Sequence, residues 1–116
     1  MSRETEPFHA AVVHADGDTT VRLGGELDLA SAAGLEACLR SLIDASAGTI
    51  TLDLADVTFL DSTGLVTILS AQQRVVGAGR RLEVCNPSRS VRRVLALSGT
   101  SSLLAIEPPR LDAAAD

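Results

Sequence analysis

The chain has 116 residues, the size of one ordinary domain and too short for two independent cores. Its 46% apolar content is almost wholly aliphatic, with two Phe and no Trp or Tyr, so aromatic stacking on single-stranded nucleic acid has little to work with. A formal net charge of −5 likewise opposes binding to a phosphate backbone, leaving a protein or a small ligand as the expected partner.

Met1 to Pro7 is polar and reads as a disordered leader. Phe8 to His14 is a strand, Asp16-Gly17-Asp18 a turn, and Thr19 to Gly24 a second strand with Val21 and Leu23 alternating against Thr20 and Arg22. The two make an antiparallel hairpin. Gly24-Gly25-Glu26-Leu27-Asp28 breaks the alternation, and the Asp28 carboxylate suits a helix N-cap. Leu35, Cys38, Leu39 and Leu42 recur at helical spacing, and that helix is expected to end near Ala45.

Ile50, Leu52 and Leu54 alternate with Thr51 and Asp53, a strand with one covered face. A short turn is expected next, then Asp61-Ser62-Thr63-Gly64 opening a helix that runs to Gly77-Ala78-Gly79. Arg81 to Cys85 is a further strand. Ser88 to Ser98 is a third helix, with Val91, Val94 and Leu95 inward, Arg89, Arg92 and Arg93 outward, and Gly99 as its stop. Ser102 to Ile106 is the last strand, and Pro108-Pro109 opens a flexible tail over residues 108–116.

The order β-β-α-β-α-β-α-β predicts an α/β domain over residues 8–107. Right-handed crossovers between successive strands place every helix on one face of a small mixed sheet, with the hairpin at its edge. A doubly wound sheet would favour continuous apolar strands instead. No apolar run approaches the ~18 residues of a membrane span, so a soluble, cytoplasmic protein without membrane contact is expected. Cys38 and Cys85 read as reduced packing thiols, and the distant His9 and His14 give no metal-ligand spacing with them.

Ser62 is the candidate working residue, because a helix start offers N–H groups without partners and the positive end of the helix dipole. It could also be a plain helix cap, worth about 1 kcal/mol, and Thr63 is a neighbouring hydroxyl. Catalysis is not expected. Asp61-Ser62-Thr63-Gly64 differs from the Asp-Thr/Ser-Gly of aspartic proteases by an extra residue and a following helix. Neither a Gly-x-Ser-x-Gly elbow nor a phosphate-binding loop ending in Gly-Lys-Ser/Thr is present, and both histidines belong to the first strand. No cofactor is expected.

Gly24-Gly25-Glu26-Leu27-Asp28, Leu52-Asp53-Leu54-Ala55-Asp56-Val57 leading into Phe59-Leu60-Asp61-Ser62-Thr63-Gly64-Leu65, and Val91-Arg92-Arg93 through Leu97-Ser98-Gly99 together resemble the STAS domain family. Within it the chain is most similar to stand-alone bacterial anti-sigma factor antagonists, over roughly Val12 to Ile106. The resemblance implies that Ser62 is phosphorylated by an anti-sigma factor that is itself a serine kinase, and that a PPM-type serine phosphatase resets it. The unmodified form would bind the kinase and free its sigma factor. Glu26, Asp28, Asp61, Thr63, Gly64, Leu65 and Val66 are the expected partner-binding positions. Val66 stands where relatives often carry glycine, and the segment after Ile106 is too short for the terminal helix many of them have. The alternative within the family is a sensory or scaffolding module that binds a ligand or docks in a signalling assembly.

Overall fold

The computed structural model describes residues 7–45, 48–99 and 105–106. Strand β1 (His9–Ala15) turns into β2 (Asp18–Leu27) through Asp16 and Gly17, whose φ values of 54° and 84° are the positive pair that a two-residue hairpin loop requires. Helix α1 (Ala32–Ala45), strand β3 (Ile50–Leu60), helix α2 (Ser62–Gly77), strand β4 (Leu82–Cys85), helix α3 (Arg89–Ser98) and strand β5 (Ala105–Ile106) follow. The strands lie in the order β1-β2-β3-β4-β5, with β1 antiparallel to β2 and every later pair parallel. This is the predicted mixed sheet with its helices on one face.

One core forms between that face and the helices. It includes Val21, Leu23 and Leu27 of β2, Ile50, Leu52 and Leu54 of β3, Leu35 and Leu39 of α1, Ile68 and Val75 of α2, and Val91 and Leu95 of α3. Burying each such aliphatic side chain contributes roughly 1.5–3 kcal/mol before ordering costs, so the aliphatic core compensates for the missing aromatics. In α3 Val94 is half-buried while Arg89, Arg92 and Arg93 are exposed, as the helical spacing predicts. Ser88 caps α3 by accepting from Val91 N, and Gly99 closes it in the left-handed region at φ 72°.

Two strands are longer than the sequence pattern predicts. The expected break at Gly24-Gly25 is absent, since β2 runs on to Leu27 with both glycines buried. The imidazole of His9 lies over Gly24, where a Cβ would collide with the ring. The expected turn after Leu54 is absent too. Strand β3 continues to Leu60 because its pairing with β2 slips twice, between Arg22 and Gly24 and between Gly25 and Glu26, each time leaving one extra residue on β3. Each bulge resets the in-out parity, so Leu54, Val57 and Leu60 all face the core at three-residue steps.

The opposite end of the sheet is tied by Arg80, whose Nη1 donates to Ile43 O at 2.8 Å and whose Nη2 and Nε donate to Gly48 O at 3.0 and 3.2 Å. Cys38 and Cys85 are free thiols, and burial pushes the Cys38 thiol above its ordinary 9.0. No helix among the described residues is long and apolar enough to cross a membrane. The expected disordered leader (apart from Pro7), the strand residues Ser102 to Leu104 and the expected tail lie outside the described residues.

Candidate functional site

Two parallel neighbours bring the predicted positions together. Glu26 pairs with Phe59 and Leu27 with Leu60, so the chain leaves β2 into Asp28 and β3 into Asp61 side by side. The backbone N–H of Asp61 donates to Leu27 O at 3.2 Å, joining the two strand ends directly. Glu26, Asp28 and Asp61 thereby share one rim at the C-terminal edge of the sheet.

Asp61, not Ser62, caps α2. Its backbone is extended (φ −107°, ψ −176°), its Oδ1 accepts from Gly64 N at 2.9 Å, and its carbonyl accepts from Leu65 N at 3.0 Å. Ser62 is the first helical residue and is exposed. Its hydroxyl makes no hydrogen bond among the described residues, so the side chain is free for other chemistry at a helix start that still carries unpaired N–H groups.

Gly64 explains how closely the helix start sits. A Cβ there would press into Leu27 O and lie 2.9 Å from both Leu27 C and Leu60 Cδ1. Only a residue without a side chain lets α2 begin against the end of β2. Leu65 is 6% exposed and anchors the same turn in the core. Gly64 and Leu65 thus lie beneath the surface and support the site; Thr63 is half-buried, and Val66 is 58% exposed one turn beyond Ser62.

The loop after β2 is held by a reciprocal pair. Asp28 Oδ1 accepts from Ser31 N at 3.1 Å, while Asp28 N donates to Ser31 Oγ at 2.9 Å. Ser31 Oγ also donates to Glu26 O at 2.8 Å, and Ser31 O accepts the first bond of α1 from Leu35 N at 2.9 Å. The N-cap role expected of Asp28 is therefore not met: Ser31, whose carbonyl opens α1, holds the N-cap position, and Asp28 instead braces this serine, which the sequence reading did not single out. The Asp-x-x-Ser spacing was the available signal. Glu26, Asp28 and Ser31 line a cleft of about 400 Å³ together with Phe8 and Gly34.

Two exposed apolar residues also border the rim and were not anticipated: Leu29, 76% exposed beside Asp28, and Phe59, 43% exposed two residues before Asp61. Among the described residues no group of His, Cys, Asp or Glu is arranged to hold a metal ion.

The model of the STAS domain matches residues 9–113. The anti-sigma-F factor antagonist RsfB of Mycobacterium tuberculosis is 32% identical over 88 residues, covering 76% of this chain and 71% of the relative. A crystal structure of an anti-sigma factor antagonist from Mycobacterium paratuberculosis superposes with a TM-score of 0.80 at 27% identity, covering 94% of this chain and 92% of that one. The anti-sigma factor antagonist SpoIIAA in its unphosphorylated form gives a TM-score of 0.72 at 25% identity over 95% and 94% of the two chains. The Bacillus cell fate determinant SpoIIAA in its phosphorylated form gives 0.68 at 23% over 95% and 97%, a likeness of fold. The chain belongs to the STAS domain family, and within it is similar to anti-sigma factor antagonists.

Proposed function

We propose that this protein is an anti-sigma factor antagonist whose unmodified form binds an anti-sigma factor serine kinase, freeing a sigma factor, and whose binding is switched off by phosphorylation of Ser62. The observation that carries the proposal is the division of labour at α2: Asp61 supplies the cap, and Ser62 presents an exposed, uncommitted hydroxyl one residue on. A relative of the same fold, SpoIIAA, is described in both unphosphorylated and phosphorylated forms, which supports a switch of this kind.

The switch acts at the surface. A phosphate adds about −1.5 to −2 charges and three acceptor oxygens, which a helix N-terminus accommodates, so the fold survives modification. The same charge falls on a rim that already carries Asp61, with Glu26 and Asp28 on the adjoining strand end. A basic partner surface drawn to the unmodified rim meets the added bulk and altered charge directly, while Val66, Leu29 and Phe59 offer it apolar contacts. A PPM-type serine phosphatase would restore the binding form.

The test is incubation of the protein with each candidate anti-sigma serine kinase and ATP, followed by peptide mapping by mass spectrometry. One phosphate on Ser62, absent from the Ser62→Ala variant, is expected. Phosphate on Thr63 alone, or none with any kinase that binds, would overturn the proposal.

A further inference from the structure

We infer that β1 is an interaction strand through which two copies of this chain pair, edge to edge, into a sheet of ten strands, five from each copy. This goes beyond the switch at Ser62 and does not depend on it. Edge strands of natural sheets are normally protected by charged side chains, proline, bulges or a covering element, because their outward N–H and C=O groups template further pairing. Among the described residues β1 shows none of these. It forms the edge of the sheet, every residue from His9 to Ala15 is exposed, and its sequence His-Ala-Ala-Val-Val-His-Ala holds no acidic residue, arginine, lysine or proline. Its seven-residue pairing with β2 runs without a register shift.

Both faces of the strand are open. Ala10, Val12 and His14 pair with the buried Leu23, Val21 and Thr19 and therefore face the helix side, yet Val12 remains 41% exposed. Val13, paired with Thr20 on the other face, is 61% exposed. An occupant must supply backbone partners along the edge and apolar cover on both sides at once, which is what another extended strand does.

The occupant that fits is the same strand. A two-fold axis perpendicular to a sheet makes the two copies antiparallel and keeps each face on its own side, so paired residue numbers must sum to an even value. Centring the axis on Val12, the middle residue of β1, uses the whole strand. Val12 then meets Val12, Ala11 meets Val13, Ala10 meets His14 and His9 meets Ala15. No pair brings two ionised side chains of like sign together when the histidines are neutral, and the central pairs are aliphatic on both faces. Such an isologous contact uses the same surface on each copy and closes at two. Because the axis reverses strand direction, the two Ser62 rims lie at opposite ends of the joined sheet and both remain open to partners.

Sedimentation velocity of the full chain over a rising concentration series tests this. A shift from 12.0 kDa toward twice that mass is expected. Val12→Lys, which places two ammonium groups across the axis, should hold the protein at the monomer mass with an unchanged circular dichroism spectrum. Val76→Lys, at an exposed position of α2 away from the rim, should still dimerise. Amide exchange at residues 9–15 should slow with concentration in the wild-type protein while that of β3 does not. A monomer throughout the series, a Val12→Lys variant that still dimerises, or exchange at β1 independent of concentration would overturn the inference.

Discussion

Replacing Gly64 by alanine tests whether the start of α2 is set by direct contact with the end of β2. The added methyl meets Leu27 O, Leu27 C and Leu60 Cδ1, and two of those three atoms are backbone that no rotamer change can move aside. Reaching ordinary contact distance requires α2 to lift by roughly 1 Å. That lift strains the bond from Asp61 N to Leu27 O and moves the turn carrying Ser62. Overpacking of this kind costs about 1–3 kcal/mol, against a helix-propensity gain of at most about 1 kcal/mol for removing glycine. The net expectation is a loss of about 1–2 kcal/mol, seen as a melting temperature lower by roughly 4–8 °C per kcal/mol for a domain of this size. Gly77→Ala is the control, because a Cβ there meets nothing within 4 Å and its φ is not in the left-handed region. It should be neutral or stabilising. A Gly64→Ala protein as stable as wild type, with Gly77→Ala behaving the same way, would refute the close-approach argument.

Other outcomes follow from the same contacts. Asp61→Ala should cost about 1 kcal/mol in urea denaturation through the lost cap, whereas Ser62→Ala should stay within about 0.5 kcal/mol of wild type. The reverse ranking would mean that the serine is the cap. Arg80→Met should destabilise by about 1–3 kcal/mol, since it leaves the carbonyls of Ile43 and Gly48 without their guanidinium donor; a neutral result would show that water replaces it. Because the folded state holds the Cys38 proton more tightly than the unfolded state, this thiol's contribution to stability is fully present below 9.0 and is lost as pH rises through the higher folded value. Iodoacetamide at pH 9 should accordingly alkylate Cys38 more slowly in the folded protein than in urea; equal rates would contradict the shift.

The sequence pattern carries the element order, the hairpin and the one-sided packing because each rests on local signals: Asp16-Gly17, the alternation of Ile50 to Leu54, the stripe Leu35-Leu39-Leu42. It fails where pairing between strands decides. The three-residue spacing of Leu54, Val57 and Leu60 looks like the end of a strand, and only the register against β2 reveals two bulges. Gly24-Gly25 carries the composition of a turn, yet it is a place where a neighbouring side chain lies on the backbone. At the site, Asp61 and Ser62 are both good caps by residue type. The backbone at Asp61, extended while Ser62 is already helical, settles which one serves. Arg80 carries no local signal of its role, since its two acceptors lie more than thirty residues away. For Leu29 and Phe59 nothing in the residue type separates a core side chain from an exposed one, and only the structure shows their exposure.

The most direct test of the switch is the affinity of the unmodified and Ser62-phosphorylated protein for the anti-sigma factor kinase that modifies it, measured by titration calorimetry at one salt concentration. Tight binding of the unmodified form and at least a tenfold loss on phosphorylation, a difference of about 1.4 kcal/mol or more, is the predicted result. Equal affinity of the two forms, with the fold intact in both, would contradict it.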